Sequence, residues 1–294
     1  MSTGGTALKK RKNEYTRSLI KNRSVKTLIY LILICWALTT IFPLVWVFMN
    51  ALKPSQDVIN NSFALPVNPT WDNFALAFGK LNIAKAFGIS LLISGSVVIL
   101  VLLIGGLAAF AMTRYKFKLK PVVYGLLVGC LLVPAFSTII PVFTIMLKLG
   151  LINNPLSVII AQTANNLPFA IIVLMGYMSS IPMDLEEAAF LEGNSPIKIY
   201  FKIIMPMARS AFATVGIFTF LWSYNDLFLQ MVMIRTQAMY PLSALLNLIS
   251  SPQFGTNYGL MAASVTLVVL PILIVYLMLS KNIIKGLTAG AIKG

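Results

Sequence analysis

Residues 184–206 read DLEEAAFLEGNSPIKIYFKIIMP. The chain has eight Asp and Glu, and four of them, Asp184, Glu186, Glu187 and Glu192, fall within nine positions here, flanked by apolar sequence. The local pattern predicts a helix, a turn and a second helix. Asp184 is placed to cap the first helix, with Glu187 three residues on as its capping-box partner. Acids in a first turn also suit the helix dipole. Gly193 stands where a helix ends in a left-handed residue. Ser195 then caps the second helix, and Pro196 takes its first position, where no N–H is missed. Ile197, Tyr200, Phe201 and Ile204 recur at helical spacing as one apolar stripe, and Pro206 ends the element. Two readings of this elbow are open: an amphipathic loop lying on a membrane, or a docking knob for a cytoplasmic partner. Membrane-surface helices are usually basic on the polar face, so the acids favour the knob.

The surroundings of the elbow set the fold class. The 294 residues are 58% hydrophobic and only 11% charged, against about 25% charged in soluble domains. With a mean hydropathy of +0.86, the chain reads as an all-α membrane protein rather than two soluble domains. The net charge of +15 would suggest nucleic acid in a soluble protein, but no basic face alternates with exposed aromatics. There is no histidine, which removes the commonest general base and metal ligand. No GxxxxGK[ST] occurs, so the chain has no P-loop of its own. Cys35 and Cys130 lie inside apolar runs and read as small buried hydrophobes, not as a disulfide.

About 20 apolar residues cross the hydrocarbon as a helix. Charge-free intervals and turn signals place six spans at about 28–50, 86–112, 121–147, 156–178, 207–234 and 258–280, the fifth interrupted by Asp226. Eighteen Lys and Arg fall in segments 1–26, 113–120, 179–209 and 281–294; the other five are Lys53, Lys80, Lys85, Lys148 and Arg235. The positive-inside rule therefore puts both termini and the elbow in the cytoplasm. The chain divides into a basic N-terminus (1–26), a six-helix transmembrane region (27–281) with a cytoplasmic loop at 179–206, and a cytoplasmic tail (282–294). The first apolar run is too long for a signal peptide and no A-x-A-like site follows, so it reads as a retained helix. Segment 53–85, broken by Pro54, Pro66 and Pro69, becomes an external connection, and Trp46, Trp71 and Phe74 fit an interfacial belt. Gly125 and Gly129 form a G-x-x-x-G that fits a packing notch or chance equally.

Asp226 is the only acid within a span, and an intramembrane charge is a functional hypothesis by default. With Trp222, Tyr224 and Asn225 it offers the donors, acceptors and flat apolar faces that a sugar needs. It equally fits a bond to a neighbouring helix or to a partner subunit. Asn165 and Asn166, in the fourth span, are amides that must be satisfied, either facing a pore or joining helices. Ser264 in the last span is a further candidate for the same path.

The spacing of Glu187-Ala188-Ala189, Gly193 and Ile203-Ile204-Met205-Pro206 resembles the EAA motif of importer-type ABC transporter permeases, with Met205 where leucine is usual. Ala51-Leu52-Lys53-Pro54 resembles the family's SLKP segment, and PTWDNF at 69–74 its PTW-x-N-(Y/F). LGLIN at 149–153 resembles LGL-x-N, and WSYND at 222–226 a W-x-x-N-(D/E) cluster. The end, KGLTAGAIKG at 285–294, is similar to the terminal GLTAGAVKG of the carbohydrate-uptake subfamily, the maltose-type second permease. The likeness covers nearly the whole chain beyond about residue 27.

This resemblance implies an importer-type bundle of six transmembrane helices in the cell membrane, one half of a heterodimeric pore. It implies a second homologous permease, two ATPase subunits below and an extracellular solute-binding protein above. The chain would carry a carbohydrate without catalysis, metal or cofactor of its own, ATP and Mg being bound by the ATPase subunits. The elbow would be the coupling helix docked on the ATPase, through Glu187, Ala188, Ala189, Gly193, Ser195, Pro196 and Pro206, with the apolar stripe anchoring it to the bundle. The tail, with Gly290, Lys293 and Gly294, would reach between the ATPase subunits, and its glycines suit an extended form. In the maltose-type family the partner permease carries most sugar contacts. The same fold serving glycerol phosphate or an oligopeptide is the alternative. A secondary transporter also fits the span count, but one intramembrane charge offers little for ion coupling. A membrane-embedded enzyme would need a cluster of acids or histidines that the spans lack.

Overall fold

The computed structural model describes residues 4–249 and 257–291, with side chains at 25–79, 82–248, 257–274 and 276–277. The described secondary structure is helical throughout, as a lipid environment demands, because a helix satisfies its backbone N–H and C=O groups within one segment. Helix α1 (Gly4–Ala51) carries the basic N-terminus into the first apolar run. Helices α2 (Ser55–Asn60) and α3 (Asp72–Leu81) occupy the connection expected to be external. The centre is built by α4 (Ile83–Arg114), α7 (Pro155–Met178) and α11 (Arg209–Asn225), which pack on one another. Their shared core includes Ile93, Val97 and Val101 of α4, Ile171 and Leu174 of α7, and Val215 of α11. Helix α13 (Leu242–Ile249) and α14 (Tyr258–Ala291) close a second core around Leu242, Leu245 and Leu260, with Ile83 and Tyr224.

Among the described residues, three helical stretches, Val25–Ala51, Ile83–Arg114 and Pro155–Met178, are long and apolar enough to cross a membrane unbroken. Two expected spans are not single helices. The interval 121–147 is α5 (Lys120–Leu132) and α6 (Ala135–Lys148), meeting at 106°. Pro134 is the cause: it pushes Val133 out of helical geometry to ψ 119°, as proline does to the residue before it. The interval 207–234 breaks at Asp226, between α11 and α12 (Leu227–Met233). The last helix stays helical to Ala291, so the tail expected to be extended is helical as far as it is described. Gly290 lies in its last turn, whereas Lys293 and Gly294 fall outside the described residues.

The outside of the bundle is apolar. Trp36 of α1, Leu132 of α5 and Ile140 of α6 are each about three-quarters exposed. Surface of this kind needs lipid or a partner subunit to cover it. Cys35 and Cys130 are free but exposed instead of buried; Cys130 of α5 borders a cleft between α5, α6 and α7. A Cβ added at Gly125 or Gly129 meets nothing within 4 Å. That pair therefore makes no packing notch within this chain.

Two joints between loops explain residues that the motifs single out. Lys53 is buried, and its Nζ donates to Asn50 Oδ1 at 3.2 Å and to the carbonyls of Asn61 and Ser62 at 3.1 and 3.3 Å. Asn73 Nδ2 donates to the carbonyls of Ala51 and Lys53, each at 2.8 Å. Gly259 packs so closely here that an added Cβ would stand 2.5 Å from Lys53 O. The segments at 51–54 and 69–74 thus meet at the start of α14. At the second joint, Asn153 takes a left-handed φ of 62°. Its Oδ1 accepts from the N–H groups of Arg235 and Thr236 at 3.0 and 2.9 Å, and its Nδ2 donates to Thr236 Oγ1 at 2.8 Å.

Candidate functional site

The elbow forms as helix α8 (Asp184–Leu191), a turn, and α9 (Pro196–Ile199), continued by a π-helical turn at Tyr200–Ile204 and a short turn α10 (Met205–Met207). The end of α8 closes as a Schellman motif. Gly193 takes φ +81°, its N–H donates to Phe190 O at 2.9 Å, and Asn194 N–H donates to Ala189 O at 3.2 Å; these are the two bonds that define the motif. Asn194 Nδ2 adds a bond to the same Ala189 carbonyl at 2.9 Å. Ser195 caps α9 by accepting from Lys198 N–H at 3.4 Å, and Pro196 holds the first position.

Three local expectations are corrected. No capping box forms at Asp184 and Glu187. Helical dihedrals already begin at Met183 (φ −70°, ψ −27°), which places Asp184 inside the first turn. Of the expected stripe, Tyr200 and Ile204 are buried, joined by Ile199, while Ile197 and Phe201 face outward. The buried face is thus narrower than the expected stripe and centred on Ile199, Tyr200 and Ile204. Nor does Pro206 end the element: α10 runs to Met207, and the chain bends at Ala208, turning by 81° into α11.

The four acids divide between two faces. Asp184, Glu187 and Glu192 are exposed, next to exposed Ala188, Leu185, Phe190, Leu191 and Ile197. Leu191 is 88% exposed. Glu186 instead turns to the bundle, where its Oε1 lies 2.5 Å from Arg114 Nε. Arg114 Nη2 also donates to Ile181 O at 3.0 Å. Beneath the elbow the buried Tyr200 ring packs 5.4 Å from Phe110, and its hydroxyl reaches Gly106 of α4. Burial pushes the Tyr200 phenol up to about 12, so it stays neutral at cellular pH. Ala189 is buried against the same core. Arg114, Glu186 and Gly106 carry this contact, and sequence reasoning had used Arg114 only as a positive charge.

The break in the membrane region at Asp226 is held by a polar network. Gln162 Nε2 of α7 donates to Asp226 Oδ2 at 3.0 Å, and Asp226 Oδ1 caps α12 by accepting from Leu229 N–H at 3.3 Å. Ser223 Oγ bonds Gln162 Oε1 at 2.6 Å and lies 3.2 Å from Ser94 Oγ of α4. Gln230 Nε2 donates to Ser223 O at 2.7 Å, and Ser243 Oγ bonds Gln230 Oε1. Asp226 therefore does bond a neighbouring helix. It also borders a cleft of about 640 Å³ between α5, α6, α7 and the break. Gln162, Asn165, Asn225 and Asp226 form the polar end of this cleft, and Phe136 and Phe228 are among its apolar walls.

The other proposed path residues separate. Tyr224 is buried, its hydroxyl has no hydrogen-bond partner among the described residues, and it lines a second cavity of about 390 Å³ with Asn225, Ser243 and Asn247. Asn166 is buried and donates to Gln162 O at 2.7 Å, and Ser264 is buried and donates to Leu260 O at 2.8 Å. Both serve their own helices and line neither cavity. Gln162 and Gln230 went unnoticed in the sequence because an uncharged amide leaves no gap in a hydropathy profile. Their presence in apolar spans is the signal that marks them.

Known proteins agree with this architecture. Residues 101–288 match the family model described as binding-protein-dependent transport system inner membrane component. The chain is 29% identical over 273 residues to the diacetylchitobiose uptake system permease protein NgcG of Streptomyces coelicolor, across 92% of this chain and 90% of that one. It is 32% identical over 269 residues to the galactooligosaccharides transport system permease protein GanQ of Bacillus subtilis, across 90% and 94%. Its fold is similar to a chain in the crystal structure of a bacterial ABC transporter involved in the import of the acidic polysaccharide alginate. That match has a TM-score of 0.79 and 23% identity, and covers 89% of this chain and 97% of that one.

Proposed function

This chain belongs to the binding-protein-dependent transport system inner membrane component family, and from that premise we propose that it is one of two permease subunits of an ATP-driven sugar importer. It is a transport component rather than an enzyme. The relatives' named substrates, diacetylchitobiose and galactooligosaccharides, support a carbohydrate. The elbow carries the reading. It is a small rigid body, closed by Gly193 and capped by Ser195, and it turns an apolar tip with an acidic rim away from the bundle. An exposed apolar patch rimmed by polar residues marks a protein interface. A cleft on an ATPase subunit is the partner of that shape and charge, met by Glu187, Ala188, Phe190 and Leu191.

With the elbow on the cytoplasmic side, both termini are cytoplasmic and the joints at Lys53–Asn73 and Asn153–Thr236 face the binding protein. Solute passes beside the break at Asp226, where Asn165, Asn225 and Gln162 offer amides and Phe136 and Phe228 offer flat faces. Few placed polar groups on apolar walls are the usual make-up of a small-molecule site. The second permease closes the open side. A photoreactive residue at Leu191, irradiated in native membranes, is expected to cross-link to a P-loop ATPase. Adducts to lipid alone would contradict the docking face.

A further inference from the structure

Helix α4 meets the elbow at three successive levels. At its last residue, Arg114 pairs with Glu186 and bonds Ile181 O. One turn back, Phe110 packs on the Tyr200 ring. One turn further, Gly106 makes room for the Tyr200 hydroxyl, which an added Cβ would meet at 2.2 Å. About 30 Å along the same helix, at 1.5 Å per residue, Ser94 meets Ser223 of the polar break, and Ser90 Oγ accepts from Leu242 N–H at 2.8 Å. One helix therefore touches the elbow at one end and the break at the other.

We propose that Arg114 and Glu186 form a latch that makes the elbow and α4 move as one body, carrying elbow displacement to the network of Ser94, Ser223, Gln162 and Asp226. Both are positioning residues. The side chains are only 8% and 12% exposed, so water screens their attraction little. Removing one partner leaves a buried charge unpaired, which is far costlier than losing a surface pair. The other three acids of the elbow face outward, and Lys116 and Lys118 just beyond α4 are exposed. Arg114 and Glu186 are thus the pair that the fold brings together. Packed interfaces of this kind switch as units instead of bending.

The latch rests on the elbow being the ATPase joint, and its test separates the two. The permease–ATPase complex is placed in nanodiscs, spin-labelled at Lys198→Cys on α9, an exposed elbow position outside the docking face, and at Leu92→Cys on α4, in a Cys35→Ala, Cys130→Ala background. Trapping with Mg-ATP and vanadate is expected to leave this separation unchanged in the otherwise native chain. In Arg114→Glu the same trapping shifts or broadens it, and ATP turnover by the complex falls about tenfold, a typical size for coupling between sites. Glu186→Gln, which keeps the shape and removes the charge, gives a milder form of both changes. Arg114→Glu with Glu186→Arg restores both. A merely structural pair would lower the melting temperature of the single variants without altering the response to nucleotide, and that result overturns the latch. So does a separation that changes on trapping in the native chain. If no ATPase accompanies the native chain, the joint itself is wrong.

Discussion

Gly106→Ala tests the seat of the elbow in the bundle, and two effects of opposite sign meet there. In an exposed helix the change would stabilise by about 1 kcal/mol through propensity. Here the new Cβ lies 2.2 Å from the Tyr200 hydroxyl and 2.8 and 2.9 Å from two Phe212 ring carbons. Carbon contacts are optimal at about 3.5–4.0 Å. Tyr200 is 1% and Phe212 5% exposed, so neither ring swings clear without opening the core. Overpacking of a tight core costs about 1–3 kcal/mol, and with two rings displaced the upper part of that range applies. The net effect is a loss of about 1–2 kcal/mol. At roughly 2–4 °C per kcal/mol for a chain of this size, detergent-solubilised protein should melt about 2–8 °C lower. Adding Tyr200→Phe removes the shortest contact and leaves those to Phe212, so it recovers part of the loss. Gly125→Ala, in open space, is the control and should gain stability. A Gly106→Ala protein that melts at or above the native temperature would refute the seating of Tyr200 on α4.

Three further outcomes are expected. Gly193→Asp forces a non-glycine residue to φ +81° at a cost of about 1–2 kcal/mol; with Glu187→Lys as a companion, the protein should insert normally yet fail to transport, and normal uptake into vesicles by either variant would count against coupling through the elbow. Gln162→Leu strips a donor from Asp226 and a partner from Ser223, costing about 1–3 kcal/mol or more for a charged group; adding Asp226→Asn should return part of the melting temperature, and strict additivity would show that the two residues do not share a network. Asn153→Ala removes three side-chain hydrogen bonds between loops, so limited proteolysis near residues 149–154 should quicken, whereas unchanged cleavage would contradict the joint.

Much of this architecture was legible because lipid imposes few rules and strong ones. Apolar length located the helices at Val25–Ala51, Ile83–Arg114 and Pro155–Met178. Gly193, Ser195 and Pro196 were readable because φ, cap and N1 preferences belong to single residues. Register was not so legible. The buried face is Ile199, Tyr200 and Ile204, with Ile197 and Phe201 left exposed, and nothing in a 3.6-residue period announces the π turn at Tyr200–Ile204. Pro134 bent a span whose apolar content alone read as one helix. Pairings distant in sequence were the least visible: Arg114 with Glu186, and Gln162 with Ser223 and Asp226, each need the fold to bring two helices together. The motifs flagged Lys53, Asn73 and Asn153 without a reason, and the joints between loops supply it.

The most direct test of the central claim is purification of the tagged chain from its native membranes under mild detergent, followed by mass spectrometry of what comes with it. A second, homologous permease and a P-loop ATPase should co-purify, and loss of the ATPase from the Glu187→Lys preparation should leave the permease pair intact. A chain that purifies alone, or only with copies of itself, would contradict the assignment of the elbow as an ATPase joint and of this protein as half of an ATP-driven pore.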